Sequence, residues 1–146
     1  MKKALLTVML ILSTGMITYG EVNTGAIHFK ITGVNAEKGG IVEIGLYNIE
    51  KQFPLSGKEF KGVQLKADTS ELEGDFLNLP DGVYAIAVYQ DENMDKKLNT
   101  NLFGAPTEGY GFSNNKYGMF GPPDFAIVSF PVTQGVIVSK VINLEQ

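Results

Sequence analysis

From residue 26 onward, apolar and polar positions alternate with period two. Ala26, His28 and Lys30 interleave with Ile27, Phe29 and Ile31, the pattern of a strand with one buried face. A turn region over 33–40 follows. Ile41, Val42, Ile44, Leu46 and Tyr47 predict a second strand, and Phe53-Pro54-Leu55-Ser56-Gly57 a loop. Phe60, Val63, Leu65 and Ala67 predict a third strand, with Gly62 breaking the alternation as a bulge would. Leu72, Phe76, Leu77 and Leu79 make a fourth, ended by the turn signal Pro80-Asp81-Gly82. Residues 83–89, Val-Tyr-Ala-Ile-Ala-Val-Tyr, are nearly all apolar. A strand of that kind must be hidden on both faces and belongs at the centre of a sheet. Residues 125–132 and 136–144 supply two closing strands around Thr133-Gln134-Gly135.

Seven short strands about ten residues apart, with no sustained helical spacing, predict an all-β fold. The expected architecture is a seven-stranded antiparallel β-sandwich in a single domain over 21–146. One long loop, 91–124, follows the central strand. Loops of that length inside a domain are usually functional or disordered. Phe103, Tyr110, Phe112, Tyr117, Met119 and Phe120 argue for order, and these side chains are expected to pack across the end of the sandwich.

The first twenty residues follow a different pattern. Lys2 and Lys3 precede an apolar run over 4–12, and Thr18 and Gly20 stand at −3 and −1 of a cut before Glu21. This is the layout of a cleaved signal peptide over 1–20. A membrane anchor is the weaker reading, because 4–19 contains four Ser/Thr residues and a glycine, and its strongly apolar part is about half of what a bilayer needs. The expected location is therefore outside the cytoplasm, periplasmic or secreted, with no membrane span after cleavage.

Composition narrows the function classes. The chain has 146 residues, 44% of them apolar, and a net charge of −4. Removing Lys2 and Lys3 with the leader takes that to −6. All twelve basic residues are lysine, so nucleic acid is an unsuitable partner. No cysteine is present, which excludes disulfide staples, thiol catalysis and thiolate metal ligands.

The candidate chemistry lies just after the central strand. Asp91, Asn93 and Asp95 occupy alternate positions, and Lys97, Asn99 and Asn101 continue the register. That spacing sets three oxygen-bearing side chains on one side of a tight loop, where the Lys97 carbonyl can join them. Ca²⁺ requires six to eight oxygens in such a cage. Glu108 can fold back to add a carboxylate, whereas Glu92 falls between ligand positions. The loop is not a complete EF-hand: Lys96 occupies the glycine position and Leu102 the position of the closing glutamate. Expected affinity is weak, on the order of 0.1–1 mM. The same residues also suit a metal-free loop, since Asp and Asn cap nearby backbone N–H groups.

Tyr110 and Tyr117 are candidate contacts for a small-molecule, glycan or protein ligand, with an apolar ring and a polar tip. A hydrolase using loop carboxylates is the alternative reading, and a structural or adhesion component of the cell envelope a third. Hydrolysis of glycosides would need two acids facing each other across a cleft. His28 is the single histidine and has no acid or nucleophile beside it in sequence. Ser113 lacks the Gly-x-Ser-x-Gly setting of a serine hydrolase. No catalytic residue is therefore assigned, and the expected function is that of a non-enzymatic module.

Three stretches carry a family resemblance. They are Gly82-Val83-Tyr84-Ala85 through Asp91-Glu92-Asn93, then 104–115 with its string Glu-Gly-Tyr-Gly-Phe-Ser-Asn-Asn, then Phe120-Gly121-Pro122-Pro123-Asp124-Phe125. Together they resemble DUF2141, a bacterial family of exported proteins. The resemblance implies a small exported β-sandwich, immunoglobulin-like or transthyretin-like, and implies no activity. Its members resemble Asp-x-Asn-x-Asn/Asp-Gly-x-x-Asp in the loop after the central strand. Here Lys96 replaces the usual glycine and Asn99 the usual aspartate.

Overall fold

The computed structural model describes residues 24–146; the leader read over 1–20 lies outside the described residues. Eight strands form two sheets. In chain order they are β1 (Gly25–Thr32), β2 (Ile41–Tyr47), β3 (Lys61–Lys66), β4 (Glu71–Leu79), β5 (Gly82–Asp91), β6 (Tyr110–Phe112), β7 (Phe130–Val132) and β8 (Ile137–Asn143). One sheet has the order β4-β1-β8. The other runs β3-β2-β5-β6, with β7 also paired to β5. Among the described residues no helix is long and apolar enough to cross a membrane.

The sheets face each other across one core. Ile27, Phe29 and Ile31 of β1 bury every second side chain against Val42, Ile44 and Leu46 of β2 and Tyr84, Ile86 and Val88 of β5. Phe76, Leu79, Ile142 and Leu144 close the first sheet over the same cluster. Period-two alternation thus places the core without help from the loops.

Four sequence expectations change. First, the sandwich is not wholly antiparallel: β1 and β8 run parallel, in register from Ala26↔Ile137 to Thr32↔Asn143. Parallel neighbours need a long crossover, and here the chain builds the second sheet before returning as β8. Second, Gly62 is not a bulge. It pairs regularly with Gly45, and the irregularity lies instead between β1 and β4, at Gly25/Ile27. Third, 125–132 is not one strand. Phe125–Val128 is a single helical turn, α1, because Phe125 and Val128, three apart, both pack onto a second apolar cluster outside the sheet. Fourth, the tripeptide β6 adds a strand inside the long loop, making eight rather than seven.

β5 is central, as its composition requires. β2 pairs along one edge from Ala85 to Asp91. The other edge is shared by two short strands, β7 opposite 82–84 and β6 opposite 87–89. Between them the ladder is completed by a side chain. The Ile86 N–H donates to Ser113 Oγ at 3.0 Å, and the same hydroxyl donates to the Val128 carbonyl. The chain end then ties the sheets together, since Tyr110 and Glu145 exchange both backbone hydrogen bonds at 3.0 and 2.8 Å.

Ser113→Ala leaves the buried Ile86 N–H and Val128 carbonyl unpaired. It should lower unfolding free energy by about 2 kcal/mol in urea titration followed by circular dichroism. An unchanged midpoint would contradict the bridging role.

Candidate functional site: the carboxylate loop and the outer-face groove

Alternation along β5 decides what its last residues do. Tyr84, Ile86 and Val88 point inward, and Gln90 follows in the same phase. Its side chain is fully buried and fully bonded. Oε1 accepts from Asn35 N at 2.9 Å, and Nε2 donates to the carbonyls of Asn35 and Gly39 at 2.8 and 2.7 Å. Gln90 thereby fastens the 33–40 turn to the end of β5.

Asp91 points the other way and is only 1% exposed. The next residues wrap around its carboxylate: Oδ1 accepts the Asp95 N–H at 3.1 Å and Oδ2 the Lys96 N–H at 2.7 Å. Met94 and Lys96 adopt φ of 59° and 64° to close this turn, a left-handed conformation that side chains disfavour. Glu108, 5% exposed, folds back as its sequence position suggested. Its Oε1 accepts from Glu92 N and its Oε2 from Asn99 N, both at 2.9 Å. Two buried carboxylates thus hold four backbone amides, and each such charge-assisted bond is stronger than a neutral one.

Above them lies a polar cluster. Asp95 Oδ2 accepts from the side-chain amides of Asn99 and Asn93 at 3.0 and 3.3 Å, and Asn93 Nδ2 also donates to Asn99 Oδ1 at 3.1 Å. Asp95 Oδ1 accepts the Lys97 N–H at 2.9 Å. The Asn99 amide is the largest influence on the Asp95 carboxyl; burial opposes it, and with the Lys97 N–H and the Asn93 amide added the carboxyl is held below its ordinary range. These bonds are therefore complete above the usual aspartate range and are lost as pH falls through the lowered value. Asn101 belongs to a separate turn, accepting from Phe103 N and Ala105 N. Glu92 turns outward and pairs with Lys38 at 3.0 Å. The structure thus brings Asp91, Asn93, Asp95, Lys97, Asn99 and Glu108 into one loop. Among the described residues no three His, Cys, Asp or Glu side chains gather as a metal cage, so a cation here would depend on amide and carbonyl oxygens.

The loop aromatics are not where the sequence placed them. Phe103, Met119 and Phe120 are almost wholly exposed, at 95%, 89% and 97%, and do not cover the sandwich end. Tyr110, Phe112 and Tyr117 lie instead on the outer face of the five-stranded sheet, because β6 pairs there with β5. They join Phe53 and Phe125 in the second apolar cluster. The rings meet edge to face: Tyr47–Phe53 at 5.4 Å, Phe53–Phe112 at 5.8 Å, Tyr110–Tyr117 at 5.8 Å. Tyr117 spends its hydroxyl on the Asn143 carbonyl at 2.6 Å and buttresses Tyr110. Tyr110 itself lines a groove of about 610 Å³ over β2, β3 and β5. Burial pushes Tyr47, and burial together with Glu43 and Asp91 pushes Tyr89, up to about 12.

Sequence reasoning gave no site role to Gln90 or to the groove residues Glu43, Tyr47 and Tyr89, and weighed Ser113 only as a nucleophile, not as the bridge between β5 and α1. Gln90 was detectable from its inward phase on β5. The groove was not, because it needs the cross-strand partners. His28, without an acid beside it in sequence, meets Asp75 across the sheet, Nδ1 to Oδ1 at 2.9 Å.

Glu108→Gln removes one acceptor from a carboxylate that binds two N–H groups. It should cost about 2 kcal/mol by urea titration and release the Glu92 or Asn99 amide to exchange. Wild-type stability in this variant would contradict the anchoring role.

The fold and this loop can now be set beside known proteins. No curated protein and no solved structure matches the chain. A family model does match, over residues 29–139, that of an uncharacterized protein conserved in bacteria (DUF2141). The match runs from within β1 to the start of β8 and takes in the buried carboxylates and the outer-face groove, and the chain belongs to this bacterial family.

Proposed function

We propose that this chain is an exported, non-enzymatic β-sandwich module, immunoglobulin-like or transthyretin-like in kind. Its loop after β5 takes a divalent cation, Ca²⁺, weakly and presents a surface to a ligand or partner. One observation carries this reading: Asp91, fixed beneath the turn by the Asp95 and Lys96 amides, organises Asn93, Asp95 and Asn99 into a single cluster with contacts of 3.0–3.3 Å. Turning the Asn99 amide over presents its Oδ1 to an ion beside the Asp95 carboxylate, with the Lys97 carbonyl in the same turn, while Asn93 Oδ1 stays on the Asp95 N–H. Few of these ligands are charged and Lys96 adds an opposing charge, so affinity on the order of 0.1–1 mM suits the site. A cation there stabilises the loop and is structural in effect. The saturation of Asp91 and Glu108 by backbone amides supports a binding role over acid–base chemistry, which needs a carboxyl free to exchange its proton.

The test is a thermal melt of the full chain in EDTA, in Mg²⁺ and in Ca²⁺, followed by circular dichroism. Tyrosine emission serves as the second probe, since tryptophan is absent. At a tenfold excess over Kd, Ca²⁺ should add about 1.4 kcal/mol, or roughly 4–7 °C. The gain should vanish in Asp95→Ala and grow in Lys96→Gly, which removes the opposing charge and leaves glycine at φ 64°. Identical melts in all three buffers would sink the cation reading.

A further inference from the structure

The groove on the outer face of the five-stranded sheet is separate in chemistry from the cation loop. Its floor is small: Gly45 and Gly62 face each other across β2 and β3, beside Ala87 of β5. A bulky residue at any of these positions would fill it. One wall is aromatic, formed by Tyr47, Phe112 and Tyr110. Glu43 pairs with Tyr89 across β2 and β5, Tyr89 in turn lies opposite Tyr110 in the register, and Glu59 adds a second carboxylate beside Gly62. Glu43 is half-buried and takes a single hydrogen bond, from Gln64 Nε2 at 2.7 Å. Among the described residues lining the groove there are two carboxylates and no lysine or histidine. The hydroxyls of Tyr47, Tyr84 and Tyr117 are spent on backbone carbonyls; those of Tyr89 and Tyr110 make no such bond among the described residues.

We propose that this groove is a binding site for a small organic cation, an amine or quaternary ammonium on a flat apolar body, held between the Glu43 carboxylate and the Tyr110–Phe112–Tyr47 wall. A volume of about 610 Å³ is that of a small-molecule site. Aromatic faces attract a cation through their quadrupoles, more strongly once water is excluded. A half-buried carboxylate with one neutral partner gains most from a mobile counter-charge. Burial, with Asp91 and Glu59 nearby, raises the Glu43 carboxyl above its ordinary value, while the Gln64 bond and Lys96 oppose this; a bound cation reverses the balance. An anionic ligand would find no counter-charge among the lining side chains. The net charge of −4 also favours cation encounter at long range.

The experiment uses the full chain, ¹⁵N-labelled, and four probes: benzyltrimethylammonium, the uncharged benzyl alcohol, the anionic benzenesulfonate and a neutral disaccharide. Benzyltrimethylammonium should shift the amides of Gly45, Gly62 and Ala87 saturably, with benzyl alcohol about tenfold weaker and benzenesulfonate without effect. Glu43→Gln should weaken the cation about tenfold. Gly62→Tyr should abolish binding; a Cβ at Gly62 meets only ordinary contacts, the nearest being Glu59 Cγ at 3.5 Å, so the larger ring is directed into the groove. Glu73→Gln, on β4 of the other sheet, should change nothing. The proposal is overturned if the cation fails to saturate at millimolar concentration, or if benzyl alcohol binds equally. It is also overturned if Glu43→Gln and Gly62→Tyr both bind normally, or if only the disaccharide binds. None of these readings depends on Ca²⁺, so the cation loop and the groove stand or fall separately.

Discussion

Everything in this domain is arranged around the need to satisfy β5 on both edges and both faces. A ten-residue strand that is almost entirely apolar up to Tyr89 cannot lie at a sheet edge, because its backbone groups would be unpaired and its outer side chains wet. β2 solves one edge. The other is solved piecemeal, by β7, then the Ser113 hydroxyl, then β6. The long segment between β5 and β8 is therefore the remaining half of the sheet, delivered in fragments. Tyr110, Phe112, Tyr117 and Phe125 from this segment cover part of the outer face of β5, and the uncovered remainder of that face is the groove.

The polar end of β5 extends the same logic into the loops. Gln90 and Asp91 are buried and each satisfies the backbone of a different loop, Gln90 the 33–40 turn and Asp91 the 91–96 turn. Glu108 repeats the device from the returning strand. Buried carboxylates are costly unless their oxygens are paired, and here each is paired twice with N–H groups. Their charge adds to the electrostatic character of this end of the molecule, where Tyr89 is raised first by burial and then by Glu43, Asp91, Glu108 and Asp95.

Period-two alternation made the inner core readable, because residues such as Ile27, Phe29 and Ile31 carry the information within one strand. The central position of β5 was readable for the same reason. Partner choice was not: nothing local to 137–143 distinguishes a parallel neighbour of β1 from an antiparallel one. The tripeptides β6 and β7 are too short to show a period, and Phe125–Val128 offered enough apolar residues to pass for strand. The polar cluster of the loop was legible because Asp91, Asn93, Asp95 and Asn99 are close in sequence. The groove was invisible because Gly45, Gly62, Tyr47 and Tyr110 meet only through register.

Through their bonds to backbone amides, Asp91 and Glu108 make the loop a fixed extension of β5. Native-state amide hydrogen exchange tests it most directly. The Glu92, Lys96 and Asn99 amides should exchange at least about 100-fold more slowly than the exposed amide of Leu102. Exchange of all three at the Leu102 rate would show that the carboxylates do not hold the loop and would contradict the account.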